Sequence, residues 1–96
     1  MVINGIEYYV GLYIMREDDF PEYEDHFEDF YALNSFVRRN SNNPKFLDSQ
    51  VCYSLVEAID GVPDAFSWVK NINWCEFTDE QIQEEIDGFV EFEKNK

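Results

Sequence analysis

The stretch from Ile6 to Met15, IEYYVGLYIM, most constrains what this chain can fold into, because large apolar residues recur at every second position. One face would carry Ile6, Tyr8, Val10, Leu12 and Ile14. A period of two, rich in β-branched and aromatic residues, is typical of a strand with one well-buried face. Asn4-Gly5 before it is a turn signal, although the arm that precedes the turn is short for a hairpin.

The next segment, REDDFPEYEDHFEDF from Arg16 to Phe30, combines eight carboxylates with large rings. Pro21 restricts the residue before it and has no N–H to donate, so it interrupts regular structure. We predict a loop here, in which residues 26–30 form either a returning strand or the start of a helix. Phe27 and Phe30 are expected in the core, whereas Phe20 and Tyr23 are expected to be exposed.

Helical spacing begins after Ala32. The first predicted helix has an apolar stripe and two cations in its last turn, where the helix dipole favours them, and the sequence supplies Leu33, Phe36, Val37, Arg38 and Arg39. A second predicted helix is capped by Asp48 or Ser49 and ends at Gly61. Its apolar stripe would consist of Val51, Leu55, Val56 and Ile59.

The last predicted helix begins at a capping box, in which Thr78 and Gln81 satisfy each other's backbone N–H groups. Its apolar face would carry Ile82, Ile86, Phe89 and Val90, and its acidic face Glu80, Glu84, Asp87 and Glu91. The predicted fold is therefore α+β: one domain spanning residues 1–96, in which a short antiparallel sheet from the N-terminal third packs with about three helices.

Charge excludes several classes of function. The formal net charge is −14, from 21 acids and 7 bases, which argues against direct binding to nucleic acid or to an anionic membrane. No apolar run approaches the roughly 20 residues that span a bilayer. The N-terminus lacks the features of a secretion signal. We therefore expect a cytoplasmic protein of a host cell, with Cys52 and Cys75 as reduced thiols, although a disulfide stays possible.

No cofactor, metal site or catalytic centre is predicted. The acidic segment lacks the spacing of an EF-hand, so Asp18, Asp19, Glu22, Glu24 and Asp25 would bind a hard cation only adventitiously. His26 is the only histidine, and a single histidine beside a carboxylate is usually solvated or hydrogen-bonded. Catalytic carboxylates need a pocket that separates their pKa values, whereas these fall in solvated runs.

Two acidic blocks hold 16 of the 21 acids in about a third of the chain, at Arg16–Asp29 and Glu76–Glu93. On the last helix each step between acids rises about 4.5 to 6 Å, whereas phosphates along one DNA strand advance about 3.4 Å. The row is therefore not an exact replica of a DNA backbone, but a surface with two acidic blocks could match a groove that holds one. Rings among charges are typical of protein interfaces. The predicted partner-binding residues are Asp18, Asp19, Phe20, Glu22, Tyr23, Glu24, Asp25, Glu80, Glu84, Asp87 and Glu91.

The size of the chain and its two acidic segments, REDDFPEYEDHFED and EFTDEQIQEEIDGFVEFE, resemble those of small acidic inhibitors that phages and other mobile elements encode. These include DNA-mimic anti-restriction proteins and anti-CRISPR proteins, which share no single fold. The resemblance implies a non-enzymatic inhibitor that occupies the basic nucleic-acid channel of a host defence protein, such as a CRISPR effector or a nuclease. It implies no particular site residues.

Three other functions stay open from the sequence. An immunity or antitoxin protein that neutralises a basic nuclease toxin would use the same electrostatics. A structural or adaptor protein of a phage particle would self-associate in solution. The generic acidic surface of a halophile's protein is the fourth class, although clustered charge and many large aromatic residues argue against it.

Overall fold

The structure, a computed structural model, describes residues 1–15, 21–58 and 69–95. These residues form five strands and three helices. In chain order they are β1 (Val2–Ile3), β2 (Ile6–Met15), β3 (Pro21–Phe27), α1 (Phe30–Arg39), α2 (Pro44–Leu47), β4 (Val51–Glu57), β5 (Val69–Ile72) and α3 (Asp79–Lys94). The predicted α+β class is confirmed.

The strand predicted from the alternating pattern, β2, is the centre of an antiparallel sheet. It pairs with β4 along one edge, and β4 pairs in turn with β5. Its other edge is shared by β1, which contacts the start of β2, and by β3, which pairs from Val10 onward. Asn4 and Gly5 both have positive φ, as a tight hairpin turn between β1 and β2 requires.

The second predicted helix is wrong, because Val51–Glu57 is the strand β4. Its six residues from Val51 to Val56 are all buried, so both faces of this strand are covered. Asp48 ends the short helix α2 and does not cap a following helix. Ile59 and Gly61 lie outside the described residues.

The prediction of a loop is wrong for the part of the acidic segment that the structure describes, because Pro21–Phe27 is the strand β3. Proline is tolerated at the first residue of a strand, where no ladder bond is lost. Of the two alternatives for residues 26–30, the strand continues to Phe27 and the helix α1 begins at Phe30, capped by Asp29.

The main core lies between one face of the sheet and the helices. Val10, Leu12, Tyr53 and Leu55 contribute from the sheet, and the helices add Phe30, Leu33, Val37, Phe46, Ile82 and Phe89. Phe30 is fully buried and Phe27 is half-buried against this core, so both expectations are confirmed. The opposite face of the sheet buries a second, smaller cluster around Tyr13 and Cys52.

Candidate partner-binding surface

The helix α3 is fixed at both its start and its core face. Thr78 Oγ1 accepts a hydrogen bond from Gln81 N at 3.1 Å, and Gln81 Oε1 accepts one from Thr78 N at 2.8 Å, so the predicted capping box is present. Ile82 and Phe89 are buried against the sheet. The Phe89 ring meets the Tyr8 ring edge-on, with the ring centroids 5.0 Å apart. These contacts set which face of α3 is left to solvent.

That solvent face carries the predicted acidic row, Glu80, Glu84, Asp87 and Glu91, and all four side chains are exposed. At 3.6 residues per turn the four positions fall within about 60° of one another around the helix axis. The row lies opposite the buried face and spans about 16 Å along the axis at 1.5 Å per residue. We refer to these four residues as the acidic row.

The acidic row has little neutralising contact. Gln83 Nε2 donates to Asp87 Oδ1 at 2.9 Å, and Asn95 Nδ2 lies 3.5 Å from Glu91 Oε1. Across residues 1–15, 21–58 and 69–95, no salt bridge involves any of the four carboxylates. Lys94 is the only base on α3, against seven acids. The row is therefore a stripe of uncompensated charge.

Two tyrosine hydroxyls respond to carboxylates near the two ends of α3 that are not part of the acidic row. The nearby carboxylate of Asp79 is the main cause that raises the pKa of the exposed Tyr31 hydroxyl. Burial raises the pKa of Tyr8, and the carboxylates of Glu93 and Glu57 raise it further. Both ends of α3 thus act on neighbouring side chains as sources of negative charge.

The strand β3 presents the second predicted group. Glu22 and Asp25 are exposed, and Tyr23 is 44% exposed, as expected for a contact residue. The Tyr23 hydroxyl is hydrogen-bonded to Nδ1 of His26, and the two rings stack with their centroids 6.3 Å apart. The Tyr13 ring meets Tyr23 edge-on from β2. Tyr23 is thus a supported, partly exposed ring between carboxylates.

Glu24 is placed differently from its neighbours. The register between β2 and β3 shifts where Tyr13 pairs with Tyr23 and Leu12 with Asp25, which leaves Glu24 as an extra residue, as in a β-bulge. Its side chain is only 12% exposed, and Lys45 Nζ lies 2.6 Å from Glu24 Oε2. Because this carboxylate is paired with Lys45 of α2, it is the least accessible to a partner among the predicted contact residues that the structure describes.

The strand β3 and the start of α3 lie toward opposite edges of the sheet. β3 and β5 are separated by β2 and β4, so three strand spacings put them about 14 Å apart. The first half of α3 lies beside β5, where Gln81 and Glu85 line a cavity with Asn71 and Ile72. Asp18, Asp19 and Phe20 lie outside the described residues, so the structure does not place them relative to either group.

The cavity beside β5 was not predicted from the sequence. It has a volume of about 180 Å³ and is lined by Asn71, Ile72, Asn73, Cys75, Glu76, Phe77, Gln81 and Glu85. The Tyr53 hydroxyl donates to Oε2 of Glu85, one of these lining residues, and burial with this hydrogen bond raises the pKa of Tyr53 far above its ordinary value. No local sequence pattern signals this cavity, because its lining residues come from β5, the segment after it and α3.

Cys52 is fully buried and Cys75 is exposed, and the two thiols are not bonded to each other. Among the described residues no cluster of three or more histidine, cysteine, aspartate or glutamate side chains is arranged to hold a metal ion. The helices in the same ranges are too short or too polar to cross a bilayer. No protein-family model matches the chain, and comparisons with curated proteins and with solved structures find no match.

Proposed function

We propose that this chain is a non-enzymatic inhibitor that binds the basic nucleic-acid-binding surface of a host defence protein. The observation that carries the proposal is the acidic row on α3. It is exposed along its whole length, opposite the core face, and has no salt-bridge partner in the described chain. A basic groove that binds a phosphate backbone is complementary to such a stripe.

The acidic row costs folding stability that a partner would recover. Like charges three or four residues apart on a helix destabilise it by about 0.2–0.5 kcal/mol per pair. The row contains three such neighbouring pairs. Glu91 also lies near the C-terminal end of α3, where the helix dipole disfavours an anion. Cations from a partner would offset these repulsions on binding. The complex would therefore lack an unfavourable free energy that the unbound protein carries.

The remaining charge favours fast association. A net charge of −14 attracts a basic surface over distances longer than any single contact. Tyr23 on β3, between Glu22 and Asp25, offers aromatic contact area of the kind that stabilises an interface after encounter. β3 and α3 occupy different parts of the surface. We assign first contact to the acidic row, because it is exposed along its whole length and has no salt-bridge partner among the described residues.

The test is capture on the immobilised chain from a host lysate at low salt, with elution by double-stranded DNA. The discriminating variant carries Glu80→Lys, Glu84→Lys and Asp87→Lys. A matched control makes the same change of charge at three exposed carboxylates elsewhere, Glu28→Lys, Asp48→Lys and Glu57→Lys. We expect the first variant to lose the captured protein and the control to retain most of it.

Equal capture by both variants, or capture that DNA and salt do not reverse, would contradict the proposal. The identity of the captured protein decides between the leading function and its alternative. A nucleic-acid-binding defence protein supports an anti-defence inhibitor. A nuclease toxin encoded beside this chain would instead support the immunity or antitoxin function.

A further inference from the structure

The outer edge of β5 presents backbone groups that lack a strand partner in the part of the chain that the structure describes. Met15 N donates to Gln50 O at 2.9 Å, so these two residues form a hydrogen-bonded pair. Such pairs recur at every second residue of an antiparallel ladder, so Cys52, Ser54 and Val56 are the residues of β4 that bond to β2. The alternate residues of β4, Val51 and Tyr53, therefore bond to β5, where they pair with Ile72 and Lys70. By this alternation the N–H and C=O groups of Val69 and Asn71 point away from the sheet.

The cavity described above lies beside this edge, on the side of the sheet that α3 covers. Ile72 shares the helix-covered face with Val51, while Gln81 and Glu85 form the opposite wall. Side chains alternate between the two faces of a strand. An additional strand along β5 would therefore direct every second side chain to the helix-covered side of the sheet, where the cavity lies.

The wall that follows β5 is held rigidly. Asn34 on α1 bonds twice to the backbone of Phe77, through Asn34 Nδ2 to Phe77 O at 3.0 Å and Phe77 N to Asn34 Oδ1 at 2.8 Å. Trp74 stacks on Phe46 with ring centroids 4.3 Å apart, and its Nε1 donates to Asn40 O at 2.8 Å. The cavity is thus formed before any ligand enters, which lowers the entropy that binding costs.

Two carboxylates of the cavity have spare acceptor capacity. Glu76 Oε1 accepts both bonds from Arg38, at 3.0 and 2.6 Å, and no hydrogen bond within the described residues involves its other oxygen. Glu85 Oε2 accepts from Tyr53, and its second oxygen likewise has no such bond. A cationic side chain in the cavity would therefore enter a space lined by two carboxylates that can still accept hydrogen bonds.

We propose that the outer edge of β5 accepts an extended basic segment of the partner protein as an added strand, with an arginine or lysine side chain entering the cavity to meet Glu76 and Glu85. This inference rests on the proposed function, because that function supplies a basic partner. Strand addition gains affinity from main-chain hydrogen bonds and specificity from pockets for alternate side chains. Both elements are present here.

A second copy of the chain is a poorer occupant of this edge. Pairing two copies would bring Glu76 and Glu85 of one chain close to the same residues of the other, and each chain carries a net charge of −14. Such repulsion between like surfaces opposes association. A basic segment instead removes charge at the same place.

The probe is a synthetic eight-residue peptide of alternating arginine and valine, labelled for fluorescence polarisation. One control replaces arginine by glutamate. Two further controls keep every charge but carry N-methyl groups on the arginine residues or on the valine residues, so that each lacks donors along one edge. We expect the basic peptide to bind, the acidic peptide not to bind, and one N-methylated peptide to lose binding.

Cys75 reports the location of binding. It is exposed beside the cavity, whereas Cys52 is fully buried, so alkylation of the native protein by iodoacetamide reports Cys75. We expect saturating basic peptide to slow this alkylation. Unchanged alkylation with bound peptide would place the peptide elsewhere and overturn the proposal.

Two protein variants test the same contacts from the other side. Asn71→Pro removes an outward N–H, and Asn71→Ala is its matched control because it keeps the N–H and loses the side chain. Loss of one hydrogen bond should weaken the peptide about two- to tenfold in Asn71→Pro relative to Asn71→Ala. The double variant Glu76→Gln, Glu85→Gln should weaken it roughly ten- to hundredfold, since charge-assisted bonds are lost. Glu57→Gln, at the far end of β4, should bind normally.

Failure of this inference is distinguishable from failure of the proposed function. If lysine substitutions in the acidic row abolish partner capture while the peptide neither protects Cys75 nor responds to N-methylation, strand addition is refuted and the inhibitor function stands. If sedimentation shows a dimer in which Cys75 is protected without peptide, the edge binds a second copy and the proposal is also refuted. If Asn71→Pro does not fold, the N-methylated peptides on the unaltered chain still decide.

Discussion

Neutralising the two ends of the acidic row should change stability unequally, with Glu91→Gln clearly the more stabilising, although the two substitutions are chemically identical. Glu80 lies in the first turn of α3 and Glu91 begins its last four residues. Both side chains are exposed and each has one like-charged neighbour in the row. They differ mainly in their position relative to the helix dipole, which favours anions at the N-terminus and disfavours them at the C-terminus.

The expected magnitudes follow from two contributions. Removing one like-charge pair gains about 0.2–0.5 kcal/mol in either variant. The dipole contributes about 0.3–1 kcal/mol for a charge near a helix end, so Glu91→Gln gains this amount and Glu80→Gln loses it. Glu91→Gln should therefore raise the free energy of unfolding by about 0.5–1.5 kcal/mol. Glu80→Gln should change it by roughly +0.2 to −0.8 kcal/mol.

Urea unfolding at low ionic strength measures this difference, because urea carries no charge and the Debye length is about 30 Å at 0.01 M salt. In about 1 M salt, where the Debye length is near 3 Å, the two variants should approach the parent chain. Equal effects of the two substitutions, or a destabilising Glu91→Gln, would refute the electrostatic reasoning. If the proposed function is right, Glu91→Gln should also weaken partner binding while it stabilises the free protein.

Three further predictions concern the interior. Tyr53→Phe removes the hydrogen bond to Glu85 and should destabilise the fold by about 1.5–3 kcal/mol at neutral pH, measured by urea unfolding. Because folding raises the pKa of Tyr53 above its ordinary value of 10.0, its contribution to stability is fully present below that pH and is lost as pH rises above it. Above pH 10 the free energy of unfolding should therefore fall with pH less steeply in Tyr53→Phe than in the parent chain, by about 1.4 kcal/mol per pH unit. Equal slopes in the two proteins would contradict this. Native protein should incorporate one alkyl group, at Cys75, and a second at Cys52 only in denaturant, as intact mass measures; two groups in the native state would contradict the burial of Cys52. Phe89→Ala should cost about 3–5 kcal/mol, since this ring is buried between α3 and Tyr8, and a loss below about 1 kcal/mol would contradict that packing.

The elements that could be predicted from the sequence are those whose pattern is local. The alternation from Ile6 to Met15 gave β2 with its bounds, and the capping box at Thr78 with its following stripe gave α3. The acidic row was also predictable, because helical spacing alone determines which residues lie opposite Ile82 and Phe89. Exposure of Tyr23 followed from its neighbours in the same way.

The strand β4 was mistaken for a helix because both of its faces are buried. The run VCYSLV has no polar residue facing solvent, so its apolar positions match a helical stripe as well as they match a strand. Its length of six residues and its β-branched and aromatic content favour a strand, and these were the available signals. Only the pairing of Val51–Glu57 between β2 and β5 resolves the ambiguity.

The strand β3 and the cavity depend on tertiary contacts that no local pattern encodes. Three of the seven residues of β3 are acidic and have low strand propensity, and the strand forms because β2 offers an edge to pair with. Glu24 forms an ion pair with Lys45 at a shift in strand register that no local sequence pattern predicts. The cavity joins Asn71 to Glu85, which are fourteen positions apart in the chain and meet only once β5 and α3 pack together.

The central claim is that a positively charged partner lies against the acidic row. The most direct measurement is mapping of the partner, once captured, on the ¹⁵N-labelled chain by amide chemical shifts and cross-saturation. The account predicts that the changes follow the outer face of α3 through Glu80, Glu84, Asp87 and Glu91, and that they fade as salt is raised. Changes confined to a neutral surface, with the amides and side chains of these four residues unaffected and still solvated, would contradict it.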